Sequence, residues 1–269
     1  MSPGRLPGAR RAATLGGDMD DATDIRKAIR QHAEMERFFT GDFTVRGAAP
    51  AQAATPAQGS TGPAAADDGA DPAAVLAAVA EEVARCTLCE ELAATRNHVV
   101  PGEGSPRARL VFVGEAPGAD EDAQGRPFVG RAGQLLTKII TAMGLQRSDV
   151  FICNTLKCRP PGNRDPRPEE KANCRPFLRR QLEAIRPEII VALGAHAANG
   201  LLEVNLPIGR LRGRFHEYSF SPERPPVKLM ATYHPAYLLR SYSPENRRRV
   251  WEDMQMVMTE LGLPSPEQK

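Results

Sequence analysis

Short apolar runs alternate along this chain with longer segments of helical period, and that alternation most constrains its fold. The runs at 110–113, 150–153, 189–193 and 228–232 are nearly free of interior polar positions, so both faces of each strand must be covered. Between and after them, 132–143 (with Gly144 as stop), 168–185, 195–202 and 244–261 carry the 3.6-residue period. Strands buried on both faces and separated by helices predict a parallel sheet. The expected fold is α/β, a three-layer α/β/α sandwich around a central four-stranded parallel sheet.

Every run ends in a distinctive loop: Gly114-Glu-Ala-Pro-Gly118, Asn154-Thr-Leu-Lys-Cys158, Gly194-Ala-His196 and Tyr233-His-Pro-Ala236. In open α/β sheets ligands bind beyond the carboxyl ends of the strands, so these loops predict one rim and one site. The first of them looks like a phosphate loop but carries too much acid. Glu115, Asp120, Glu121 and Asp122 crowd its glycines, and carboxylates repel the anion that such a loop would normally receive.

Organisation changes near residue 72. Residues 47–70 are almost entirely Ala, Gly, Pro, Gln, Ser, Thr and Asp, and cannot bury enough surface to offset the entropy of ordering. Residues 1–70 are expected to form a mostly disordered extension. A short helix is expected at 24–39, either a marginal helix that frays or a tethered element that binds a protein partner. The first seventeen residues are acid-free with arginines, weakly similar to an organelle transit peptide, and Met19 offers a second start. The folded domain is expected to span 71–264, opening with Asp71 as helix cap and Pro72 at the first helical position. A net charge of +2 gives no global nucleic-acid signature, so any such partner rests on local patches. No apolar run approaches the roughly 18 residues of a membrane span, and the expected location is the cytoplasm.

Five cysteines in such a chain suggest ligands or buried thiols rather than disulfides. Cys86-x-x-Cys89, Cys158 and Cys174 can supply four thiolates to one centre, tetrahedral zinc or a [4Fe–4S] cluster, while Cys153 falls within a strand pattern and is expected in the core. Spacing alone does not choose between the two, although one close pair with two distant singles leans toward the cluster. Between Cys158 and Cys174 a proline-rich loop carries Arg159, Arg164, Arg167 and Lys171, with Lys157 and Arg175 just outside. A loop anchored at both ends could hold these cations against a phosphate backbone, or it could simply be solvated and balanced by Asp165, Glu169 and Glu170.

Gly114-Glu-Ala-Pro-Gly118 with Glu121, Gly125-Arg-Pro-Phe-Val-Gly130, Asn154 closing its strand, the four spaced cysteines and Tyr233-His-Pro-Ala236 together closely resemble the iron–sulfur uracil-DNA glycosylases, family 4 of the uracil-DNA glycosylase superfamily. The resemblance runs from about Val83 to Arg240 and leaves residues 1–70 untouched. It implies a monomeric, monofunctional enzyme of base excision repair. Such an enzyme flips uracil out of single- or double-stranded DNA and hydrolyses its N-glycosidic bond, leaving an abasic site.

By resemblance, Phe128 stacks on the flipped ring and Asn154 pairs with uracil O4 and N3–H. Backbone amides at Gly114, Glu115 and Ala116 help hold the base, and His234 donates to O2 as negative charge develops. Glu115 and Glu121 are the candidates for stabilising the sugar cation or positioning water. Leu238 or Leu239 is the candidate wedge for the gap in the duplex. Cys86, Cys89, Cys158 and Cys174 are the implied ligands of a [4Fe–4S] cluster. Two other readings remain: a protein of the same fold that traps uracil-DNA without turnover, and a zinc-stabilised nucleic-acid-binding module. The trapping branch carries a basic insertion before a reactive histidine, and none is evident here.

Overall fold

The computed structural model describes residues 71–220, 224–241 and 243–264. The expected extension over 1–70 and its helix at 24–39 lie outside the described residues.

Asp71 caps α1 (Pro72–Arg85), its carboxylate accepting the Ala73 N–H at 3.4 Å while Pro72 takes a position that has no intrahelical donor to lose. A short α2 (Glu90–Thr95) follows. The sheet is built from β1 (Glu103–Gly104), β2 (Leu110–Gly114), β3 (Phe151–Asn154), β4 (Ile189–Leu193), β5 (Phe215–Tyr218) and β6 (Val227–Thr232). Strand order is β1-β3-β2-β4-β6-β5, and the inner four are mutually parallel. The sheet thus has six strands rather than the four expected, because antiparallel β1 and β5 extend its two edges. Neither edge strand has an apolar signature: β1 is only two residues long, and β5 is half-buried with Glu217 exposed.

The inner strands are buried on both faces, and successive residues face opposite cores with period two. Leu110, Phe112, Ile152, Ile189, Val191 and Leu193 face one core, against α4 (Arg131–Ala142) and α9 (Pro244–Glu260). Val111, Val113, Cys153, Ile190 and Ala192 face the other, against α5 (Pro168–Ile185) and α6 (Ala195–Leu202). Cys153 is fully buried in that second layer, as its strand position predicts. The remaining helices are short: α3 (Ala119–Gln124), α7 (Ile208–Leu211) and α8 (Pro235–Arg240). Among the described residues no helix is long and apolar enough to cross a membrane.

The chain leaves β2 for β3 on one side and later returns to β4 on the other, which opens a crevice at the carboxyl ends of β2 and β4. Gly114 and Asn154 are register partners at the ends of β2 and β3, so the loops carrying them begin side by side.

Candidate active site

A cavity of about 700 Å³ occupies this crevice, lined by Glu115, Phe128, Asn154, His196 and His234 among others. All four strand-end loops contribute to it.

Asn154 is 1% exposed, and its Oδ1 has no hydrogen-bond partner. A buried, unpaired carbonyl costs about 1–3 kcal/mol, so it marks a place where a donor is awaited. The main chain of Asn154 is fixed from behind: the buried Lys157 ammonium donates to its carbonyl at 2.9 Å and to Gln181 Oε1 at 2.6 Å. Burial lowers the Lys157 pKa. Lys157 therefore braces the pocket wall and is not a surface cation of the neighbouring loop. A β-carbon at position 114 would lie 2.3 Å from Asn154 Oδ1 and 2.6 Å from the Phe128 ring, so only glycine lets all three meet.

Phe128 stands at φ +51°, a left-handed conformation costing a non-glycine residue about 1–2 kcal/mol. Three anchors hold it there. Arg147 donates to the carbonyls of Phe128 (3.2 Å) and Pro127 (2.8 Å). Gly133 has no side chain where a β-carbon would fall 1.9 Å from the Phe128 carbonyl. Glu121 accepts from Val129 N (2.9 Å) and Gly130 N (3.0 Å) with one oxygen and from Gly118 N (3.1 Å) with the other. Glu121 thus ties the first loop to the Phe128 loop, and both its oxygens are committed to backbone amides.

The acidic crowd of this region divides by role. Asp122 is buried and accepts from Asn97 N and Asn97 Nδ2 at 2.9 and 2.6 Å, which makes it structural. Glu115 lines the cavity, its Oε1 accepts no hydrogen bond, and the nearest basic atom is His196 Nδ1 at 3.4 Å. Burial raises the Glu115 pKa, His196 draws it back down, and Asp165 adds a further upward push. The sequence offered Glu115 and Glu121 as equals, but the hydrogen bonds leave Glu115 as the carboxylate with free acceptor capacity.

His234 caps α8, its Nδ1 accepting the Ala236 N–H at 3.0 Å, with Pro235 at the first helical position. An Nδ1 that accepts leaves the ring proton on Nε2. Burial, reinforced by Arg240, holds the His234 pKa down to about 4, so the ring is neutral at neutral pH. Its centroid lies 5.7 Å from that of Phe128.

A model of the uracil DNA glycosylase superfamily matches residues 101–255. The chain is 48% identical over 178 residues to a type-4 uracil-DNA glycosylase of Thermotoga maritima, an alignment covering 66% of this chain and 90% of that protein. The chain belongs to the uracil-DNA glycosylase superfamily. It is also 45% identical over 192 residues to the type-4 enzyme of Archaeoglobus fulgidus, covering 70% and 94% of the two chains. With the type-4 enzyme of Saccharolobus solfataricus it shares 44% over 189 residues, covering 68% and 85%.

Within this superfamily member, two of the residues singled out in the sequence take other places. Leu238 is 1% exposed and packs in the core, whereas Leu239 is 39% exposed, so Leu239 alone is free to act as a wedge. Arg164 forms a double hydrogen bond with Glu170 (2.6 and 2.9 Å) and reaches Glu91 at 2.8 Å. It staples the loop internally through its two Nη groups, while its Nε has no partner and its side chain lines the cavity. Arg159 donates to Asn163, and Arg167 pairs with Glu91 at 3.0 Å, about half-exposed. An exposed pair is worth about 1 kcal/mol or less and yields readily to a phosphate. Lys171 is half-buried and close enough to Glu115 to lower its pKa.

None of the four spaced cysteines is in a disulfide; Cys158 and Cys174 are buried beside Leu92 and Leu156, and Cys89 packs against them. Burial pushes the Cys174 thiol up to about 11 and raises Cys158, and charges on Cys86 and Cys89 act on Cys158 as well. Donors point at the sulfurs: Arg96 Nη1 at 3.1 Å from Cys158 Sγ and Asn173 Nδ2 at 3.5 Å from Cys89 Sγ. Thiols forced toward neutrality by burial, yet supplied with N–H donors, suit a metal centre that takes them as thiolates.

Sequence reasoning passed over Arg147, Gly133 and Asp165. The first two act on the backbone of the Phe128 loop, and Asp165 reads locally as a counter-charge. His196 did carry a signal, since it lies just beyond the end of β4, in the first turn of α6.

Proposed function

We propose that this chain is a monofunctional uracil-DNA glycosylase that flips uracil from single- or double-stranded DNA and hydrolyses its N-glycosidic bond. The observation that carries the reading is the buried, unpartnered Oδ1 of Asn154 facing the Phe128 ring across the Gly114 gap. A carboxamide so placed accepts from N3–H and donates to O4 of uracil. Cytosine offers an acceptor and a donor at those positions and leaves both halves of the amide unpaired.

As the C1′–N1 bond breaks, its electron pair goes to N1 and the charge spreads onto O2. His234 Nε2–H donates to O2 without giving up its proton, which suits a ring that is neutral at working pH. Glu115 faces the sugar that becomes positive, and the strained Phe128 ring stacks on the base. Arg159, Arg167 and Lys171 hold backbone phosphates. The protein acts as a monomer in the cytoplasm, where cysteines serve as ligands rather than as disulfides.

Cys86, Cys89, Cys158 and Cys174 hold a [4Fe–4S] cluster. Tetrahedral zinc, about 2.3 Å from each sulfur, needs about 3.8 Å between sulfurs. Among the described residues the one set of three or more such side chains with ligand atoms within 4.8 Å is Glu115, Asp165 and His196, and no cysteine belongs to it. The wider cysteine set favours the larger group. These four cysteines, on the α1–α2 turn, the loop after β3 and α5, would hold the cluster and so be tied to one another through it.

Purified, cluster-loaded protein is expected to release free uracil from single- and double-stranded uracil oligonucleotides without added metal. No release from either substrate would refute the reading, and a protein–DNA adduct that survives denaturation would favour a trap. Leu239→Ala should slow excision from duplex by about tenfold and leave single-stranded excision near the parent rate, because the wedge offsets unstacking only in a duplex. Equal losses on both substrates would contradict that role.

A further inference from the structure

The loop between Cys158 and Cys174 carries Asp165 into the cavity, where its carboxylate meets Glu115 and His196. The ligand atoms of all three lie within 4.8 Å of one another, and they come from three separate strand-end segments: after β2, after β3 and after β4. Asn154, whose buried Oδ1 has no partner, lines the same cavity, so the trio borders the place where the base docks. Glu115 Oε1 accepts no hydrogen bond, and His196 Nδ1 stands 3.4 Å away from it.

We propose that Asp165 and His196 complete, with Glu115, a three-sided seat for the attacking water. The inference rests on the uracil-glycosylase reading of the same cavity. Water donates one hydrogen to Glu115 and one to Asp165 and accepts from an N–H of His196. Its remaining lone pair then points at the sugar. As the C1′–N1 bond breaks with its electrons on N1, the water oxygen bonds to C1′ and one of its protons passes to a carboxylate of the pair. That proton later leaves to solvent. Asp165 and Glu115 also place negative charge beside the developing sugar cation.

Asp165 and His196 are both exposed, so their substitution should not disturb folding. In cluster-loaded full-length protein, Asp165→Asn is expected to lower single-turnover uracil release about 10²-fold. Affinity for uracil-DNA should stay within about twofold, and Asp165→Glu should recover part of the rate. His196→Ala should lower release about tenfold. In buffer containing methanol, Asp165→Asn should also shift the split between hydrolysis and methanolysis at C1′, a readout that a merely structural residue would not move. Release at the parent rate by Asp165→Asn, or equal losses of rate and affinity with an unchanged methanol split, would overturn the proposal. So would loss of excision on EDTA treatment with the visible cluster spectrum intact, which would mark the trio as a cation site. If the parent protein itself releases no uracil, the glycosylase reading fails first and this inference falls with it.

Discussion

Asn154→Ala is expected to lower single-turnover uracil release by about 10²–10³-fold while the protein stays folded. Two hydrogen bonds to the base disappear, one of them to an edge whose charge grows as the glycosidic bond breaks. Together these are worth about 3–4 kcal/mol, at 1.36 kcal/mol per tenfold in rate. The fold should tolerate the change because Lys157 holds the Asn154 main-chain carbonyl, which alanine retains. The substitution also removes a buried acceptor that has no partner in the free protein. The melting temperature is therefore expected to hold or rise. A drop in melting temperature that tracks the loss of activity would show Asn154 to be a packing residue instead.

Cys174→Ser should have the largest effect on stability. The local apolar cluster around the cysteines is small, with Leu92, Leu156, Cys158 and Cys174 as its buried members. Such a satellite core cannot hold α2 and the proline-rich loop in place without a covalent centre. Loss of visible absorbance should accompany a fall of more than about 4 kcal/mol in unfolding free energy. Limited proteolysis should cut first within residues 86–96 and 158–167, while the β2–β4 pair stays protected. Excision should fall as well, since Asp165 rides on that loop. A variant without iron that melts like the parent would show that the cysteines are ordinary buried thiols.

The parts of the fold legible in the sequence are those where burial leaves no choice. The four inner strands are covered on both faces, so each reads as an unbroken apolar run, and α5 and α6 carry enough turns for their period to show. The edges escaped notice because β1 pairs through two residues with no apolar pattern, and α3, α7 and α8 run only four to six residues. Leu238 and Leu239 are adjacent, and only the packing of α8 against the core decides which is buried.

The site shows the same division. Glycines, Asn154 and His234 stand at strand ends, where the topology gathers ligands, and so they were legible as a set. The roles of the carboxylates were not, because hydrogen-bond commitment is a three-dimensional property. Glu121 and Asp122 are next to each other and close to Glu115, yet one ties two loops together, one is buried against Asn97, and one faces the cavity. The acidity that makes this glycine loop a poor phosphate site is largely internal scaffolding, and Glu115 is left lining the cavity with an unpaired oxygen.

The central claim is that the amide of Asn154 chooses the base. The most direct test compares single-turnover release from two otherwise identical oligonucleotides carrying uracil or cytosine at one position, with the freed base identified by mass spectrometry. The account predicts rapid release of uracil and no measurable release of cytosine. Release of both bases at comparable rates, or of neither, would contradict it.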